Sequence, residues 1–297
     1  MAIIRKYRNT KRLTDNYKNL LRQDLSGLSV IEIESKLKEV LGPLPQINWP
    51  INKSFSVIRA RYVDPDKEDI TDPATFAAPP SHKTDQGRAN IEHHPAFYGS
   101  FDARTAMQEI KVPKNTECYV SIWEFKTKPP TLTTFLSRVE AKNHFASLYD
   151  NVPIVPPKNL EDIYTCSSFK RAMQLRAKLF TSPGYEVTSR IAHNINYNKS
   201  AQSDGILYPS VIDPYQCNVA LSPKFAEQHM ECVLVVRQVW SGAFIFRTLG
   251  GAEMNGAKLD WKGVQDFDIT TGFAGKYMGG GRGPTEIHPS ALEVLKE

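Results

Sequence analysis

Between Asn90 and Ile110 the chain reads NIEHHPAFYGSFDARTAMQEI and holds three side chains able to ligate a metal: His93, His94 and Glu109. Adjacent histidines on one loop do not easily share an ion, and neither an HExxH helix nor a second ligand cluster follows, so no metal is expected. Arg59, Arg61 and Arg88 offer other chemistry. A guanidinium stays charged and grips phosphate oxygens through two parallel N–H donors, and an ordinary ion pair is the competing use. Arg59 and Arg61 stand two apart on a stretch that reads as a strand, so both share a face and either is a candidate. The four cysteines, Cys118, Cys166, Cys217 and Cys232, lack CxxC spacing and suit reduced, structural thiols with no base nearby in sequence. The YPS of residues 208–210 is no GxSxG elbow. GGGRG at 279–283 lacks the preceding strand and the Lys-Ser/Thr of a phosphate loop.

The elements that must position these groups follow from periodicity. Apolar residues from Thr14 to Val40 recur at three- and four-residue spacings with a break near Ser26-Gly27, predicting two short amphipathic helices in an N-terminal extension over 1–50. FSVIRARYV (55–63) alternates and opens the main domain, 51–275, as a strand. Residues 64–87 read as a long surface loop. PAFYGS reads as a short strand, DARTAMQEI as a helix with Asp102 as its N-cap, and ECYVSIWEF as a further strand. After a Pro/Thr-rich crossing, 160–180 and SPGYEVTSRIAHNINYNKS read as helices. DGILYPS, ECVLVVRQVW and GAFIFRTLG read as later strands, and a glycine-linked tail, 276–297, ends in a short helix. Strands that do not alternate regularly with helices argue for an α+β fold and against a doubly wound parallel sheet.

With 297 residues, 41% hydrophobic and 23% charged, the chain has the composition of a folded globular protein. No apolar run reaches eighteen residues and the N-terminus has no apolar signal core, which reads as a cytoplasmic protein, or one delivered into the cytoplasm of a target cell. The net charge of +5 concentrates near the N-terminus, in Arg5, Lys6, Arg8, Lys11, Arg12, Lys18 and Arg22. Without a nucleic-acid module, a charge this small makes nucleic acid an unlikely partner, though a binding module with an inactive pocket is the competing class.

Five pieces stand in order: Arg59 in VIRAR, GRAN at 87–90, PAFYGS, the Ala-x-x-Glu of TAMQEI, and DGILYPS followed by Asn218. In that order they resemble the RES domain, named for its arginine, glutamate and serine. Two departures stand out. Ala89 replaces the tryptophan of the family's Arg-Trp-Asn, and the long run from Glu109 to Ser210 implies an insertion within about 125–185.

The resemblance implies an ADP-ribosyltransferase-like mixed β core with flanking helices. It further implies a toxin acting on NAD and held by an antitoxin or immunity protein, with NAD as substrate and no cofactor beyond it. Its catalytic residues would be Glu109, Arg59 and Ser210, and its NAD-binding residues Arg88, Tyr98, Asn90, Arg61 and Asn218. The residue types agree. Breaking the nicotinamide–ribose bond develops positive charge on the ribose, which a carboxylate held on the ribose hydroxyls stabilises. Arginines suit the pyrophosphate, and Tyr98 suits the nicotinamide ring. Degradation of NAD by phosphorolysis, using inorganic phosphate, or by hydrolysis is the expected reaction, and ADP-ribosylation of a protein target is the alternative.

Overall fold

The computed structural model describes residues 10–25, 27–41, 48–50, 56–136, 167–182, 184–197, 202–213, 216–242 and 245–263. In chain order these form α1 (Thr10–Leu21), α2 (Val30–Leu41), β1 (Asn48–Pro50), β2 (Val57–Arg61), β3 (Phe97–Ser100), α3 (Ala103–Glu109), β4 (Glu117–Phe125) and β5 (Thr131–Thr134). There follow α4 (Ser167–Leu179), α5 (Glu186–Tyr197), β6 (Gly205–Pro209), β7 (Cys217–Leu221), α6 (Pro223–His229), β8 (Met230–Gly242), β9 (Ile245–Asn255) and β10 (Lys258–Gly263). The class is α+β. The tail after residue 276, Cys166, residues 137–166 of the expected insertion, and Arg5, Lys6 and Arg8 lie outside the described residues. Among the described residues no helix is long and apolar enough to cross a membrane.

The chain divides into two compact units. The strand-rich unit comprises Lys53–Ala78, Phe97–Pro129 and Pro223–Glu297. Its strands run antiparallel in the order β3-β2-β4-β8-β9-β10. Alternation along β2 sends Ile58 and Ala60 to the face on which α3 packs, beside their cross-strand partners Ile122 and Val120. Ala103, Ala106 and Met107 of α3, with Leu234 and Val236 of β8, complete that core. Burying each large apolar side chain there stabilises the fold by about 1.5–3 kcal/mol. Asp102 caps α3 as expected: its carboxylate accepts from the Thr105 N–H at 2.8 Å and from the Thr105 hydroxyl at 2.9 Å.

Part of the expected surface loop is instead anchored to this unit. Phe76 is fully buried, its ring 5.7 Å from that of Tyr119, because an aromatic among the prolines and aspartates had a core to reach. Trp261 Nε1 donates to the Ile70 carbonyl at 2.8 Å, and the Leu259 N–H to the Thr71 carbonyl at 2.8 Å, so residues 70–71 cover part of the outer edge of β10.

The helical unit comprises Met1–Asn52, Pro79–Ala96 and Pro130–Ser222. Its sheet is mixed, in the order β1-β5-β6-β7: β5 and β6 are parallel, while β1 and β7 pair antiparallel with their neighbours. Gly205 opens β6 where a Cβ would stand 2.5 Å from the Ala220 carbonyl oxygen, so only glycine admits that register. Phe135, Phe180 and Tyr208 chain together at ring separations of 4.4 Å and 5.2 Å. In α1 the buried Leu13, Tyr17 and Leu20 recur at one helical face. A capping box starts α2: the Ser29 N–H donates to the Glu32 carboxylate at 2.8 Å and the Glu32 N–H to the Ser29 hydroxyl at 3.3 Å.

Candidate active site

The strand-rich unit holds Arg59, Arg61, Tyr98 and Glu109, and the helical unit holds Arg88, Asn90, Ser210 and Asn218. In the first unit, Arg59 Nη1 donates to the Tyr98 carbonyl at 3.0 Å and the guanidinium carbon lies 5.6 Å from the centre of the Phe97 ring. Its Nε is shut from solvent and has no hydrogen-bond partner. Burial lowers the Arg59 pKa to about 10, with the like charge of Arg61 acting the same way, so the group still carries its proton at neutral pH. Arg61 is differently placed: Nη2 meets Glu68 Oε1 at 2.8 Å, and Nη1 donates to the Thr75 carbonyl.

The register of β2 with β3, Ile58 opposite Ser100, sets Gly99 across from Arg59. A Cβ on Gly99 would lie 2.1 Å from Val57 Cγ1, so the glycine within β3 admits the adjoining strand's own side chain. By alternation Tyr98 leaves the sheet on the face covered by α3, opposite to the Arg59 side chain, which Phe97 meets. Glu109 is half-buried at the last position of α3. The helix therefore lies over the Tyr98 face, and Arg59 reaches the same short strand through its backbone.

In the helical unit the GRAN segment is a closed turn, with the Gly87 N–H donating to the Asn90 carbonyl at 3.0 Å. The buried Asn90 amide donates to the carbonyls of Asp85 at 2.8 Å and Ile91 at 2.9 Å, so its two protons hold the loop. Arg88, raised by that turn, gives Nη1 to the carbonyls of Phe180 and, at 3.0 Å, of Ser182, with its guanidinium carbon 5.1 Å over the Tyr185 ring. The loop then runs along α5. Gln86 Nε2 donates to Ser189 Oγ at 2.9 Å, and the Tyr197 hydroxyl to the Pro95 carbonyl at 2.6 Å.

The two histidines take part in this packing. His94 meets the His193 ring edge-on at 4.6 Å, and His93 donates its N–H to the Thr84 carbonyl at 2.9 Å with φ of 60°. Ser210, buried after β6, accepts from the N–H groups of Ile212 and Asp213, each at 3.2 Å, which fixes the turn between β6 and β7. Asn218 is buried in β7 opposite Tyr208.

Cys118, Cys217 and Cys232 are free and buried. Burial pushes the Cys118 thiol up to about 11 and Cys232 up to about 12, well away from nucleophilic thiolates. Phe97 and Tyr185, the rings beneath the two arginines, were not among the residues singled out from sequence. Phe97 stood in PAFYGS beside Tyr98, but nothing local distinguishes Tyr185.

The described residues thus form an α+β fold in which one arginine rises from a strand, another from a tight turn, and a carboxylate ends a short capped helix. The family model of the RES domain matches residues 58–241, a span that includes all eight predicted site residues, and the chain belongs to that family. No curated protein matches it. The crystal structure of the M. tuberculosis MbcT–MbcA toxin–antitoxin complex aligns with 70% of this chain and 90% of that chain, at 12% sequence identity and a TM-score of 0.29.

Proposed function

We propose that this chain is a RES-type toxin that cleaves the nicotinamide–ribose bond of NAD. The C–N bond breaks with its electron pair going to the pyridinium nitrogen, so nicotinamide leaves neutral. The ribosyl cation is captured by phosphate or water, which gives up a proton. Glu109 stabilises the developing ribose charge. Arg59 and Arg88 bind pyrophosphate oxygens, and Tyr98 and Ser210 orient the substrate. Asn90 acts through the loop it staples. An antitoxin is the expected partner, and the cytoplasm, where NAD is plentiful, the place of action.

One observation carries this reading. Among the described residues Arg59 meets no carboxylate. Its neighbours are a carbonyl, an aromatic ring, a second cation and, electrostatically, the Tyr98 phenol, and its Nε proton is buried and unpaired. An uncompensated buried charge is costly, and an anion bound there offsets the cost. Of the two strand arginines, Arg59 is therefore assigned to the substrate and Arg61 to the fold.

The test is to incubate purified protein with NAD, with and without phosphate, and to measure NAD loss and free nicotinamide beside Glu109→Ala, shown to be folded by circular dichroism. Release of nicotinamide that vanishes in the variant supports the reading, and phosphate dependence identifies the acceptor. Nicotinamide release that needs added lysate, with label retained on protein, would redirect it to ADP-ribosylation. NAD left intact by wild type under all these conditions would overturn it.

A further inference from the structure

Tyr185 combines features that the reading above does not use. Tyr185 is 39% exposed, although Arg88 lies over its ring at 5.1 Å. The preceding Gly184 adopts φ of 90°, a left-handed conformation that delivers the chain into α5 with Tyr185 just ahead of its first turn. Arg88 is itself fixed: Nη1 is committed to the carbonyls of Phe180 and Ser182, at the end of α4. A partly exposed tyrosine beside a pinned guanidinium is a place where a flat ring can stack while its phosphate meets the arginine.

We propose that Tyr185 stacks on the adenine ring of NAD and thereby selects the full dinucleotide over its nicotinamide half. This rests on the NAD reading and assigns it a binding residue. The choice between the two rings of NAD is electrostatic. The nicotinamide ring is a pyridinium cation, and Tyr185 already shares its π-face with the Arg88 guanidinium, so a second cation on that ring would be repelled. Adenine is neutral, and such stacking is favourable for any base with an open π-face. Arg88, beside that ring, would then meet the phosphate joined to the adenosine. Helix α5 also carries Glu186 at its first position, so a phosphate set directly on that helix N-terminus would meet a like charge; the ring of Tyr185, not the helix end, is the binding feature.

The experiment compares wild type, Tyr185→Ala and Tyr185→Phe on NAD and on nicotinamide mononucleotide, which has the scissile bond and one phosphate but no adenosine. Tyr185→Ala is expected to raise KM for NAD about tenfold, a stacking-sized effect, and to change kcat/KM for the mononucleotide less than twofold. Tyr185→Phe, which keeps the ring, stays near wild type on both. An unchanged KM for NAD in Tyr185→Ala overturns the proposal. So does an equal fall on both substrates, which would mean that Tyr185 merely positions Arg88. Calorimetric titration with ADP separates this from the NAD reading. If neither substrate is cleaved by wild type, the cleavage reading fails, while ADP binding that weakens about tenfold in Tyr185→Ala still supports the stack. ADP binding that is absent in wild type, or equal in both proteins, sinks it.

Discussion

Arg61 donates Nη2 to Glu68 Oε1 across 2.8 Å, and this ion pair makes the two arginines of β2 unequal although they share a face. Both members of the pair are about three-quarters buried, and Arg61 also holds the Thr75 carbonyl, so it ties residues 68–75 to the sheet. Arg59 has no comparable anion among the described residues.

Substitution should separate the two roles. Arg59→Gln removes the charge-assisted contact proposed with the substrate, worth about 1.5–3 kcal/mol, and is expected to lower kcat/KM for NAD by about 10- to 100-fold with little change in Tm. Arg61→Gln breaks a structural ion pair, and Tm should fall by several degrees while kcat/KM stays within about threefold. Steady-state kinetics and thermal melts on both variants check this. The reverse pattern would make Arg61 the substrate arginine.

Helix α3 is seven residues long and has no other side-chain cap than Asp102 to hold its N-terminus. Asp102→Ala is expected to destabilise the protein by about 1 kcal/mol, and Asp102→Asn, which still accepts from the Thr105 N–H, by less than half of that. Because Glu109 ends the same short helix, NAD cleavage should fall in the same order. Urea denaturation beside the nicotinamide assay checks both, and equal stability of all three proteins would show that packing of Ala106 and Met107 alone maintains the helix.

Where a residue pattern and its burial agreed, the elements were legible in the sequence. The alternation of VIRAR, the cap at Asp102 and the β-rich ECYVSIWEF placed β2, α3 and β4 within about two residues. Elements whose pattern was masked by composition went unseen. CNVAL of β7 is buried at every position and so has no alternation, and TLTT of β5 follows two prolines and read as a crossing. The β9–β10 hairpin turns at Asn255–Lys258 with Gly256 at φ of 63°, and the Asn-Gly pair was its available signal. The candidate site residues were singled out by their order along the chain. Their partners, Glu68, Phe97, the Phe180 and Ser182 carbonyls and Tyr185, are remote or ordinary in sequence, and only folding selects them.

Asn90 gives a prediction in which the ordering of variants is the evidence. Its amide protons face two carbonyl oxygens at 2.8 Å and 2.9 Å. Asn90→Ala leaves both acceptors of Asp85 and Ile91 without these donors and should cost about 2 kcal/mol. Asn90→Asp turns two attractions into oxygen–oxygen repulsions and should cost more than alanine, although aspartate is the closer match in shape. Denaturant titration reads the order. If aspartate is tolerated better than alanine, the side chain is facing a donor, and a direct substrate contact becomes the better account of this residue.

The loop carrying Arg88 and Asn90 also gives the protein a pH dependence. His193 on α5 stacks on Tyr197 at 4.7 Å and receives His94 edge-on at 4.6 Å, and its Nδ1 is buried without a partner. Burial lowers the His193 pKa below its ordinary 6.5, and the neighbouring His94 pushes the same way. The folded state therefore prefers the neutral ring, while the unfolded chain takes up a proton as pH drops through about 6.5. Stability from this residue is present above about pH 6.5 and is lost as pH falls from there toward the lower folded value. Thermal melts between pH 7.5 and 5 should show a steeper fall in Tm for wild type than for His193→Phe, which keeps the aromatic packing and cannot titrate. His94→Phe should fall between the two, since it removes only the second cause of the shift. Parallel Tm profiles for wild type and His193→Phe would place the acid sensitivity elsewhere, because a group that titrates alike in the folded and unfolded chain contributes no slope.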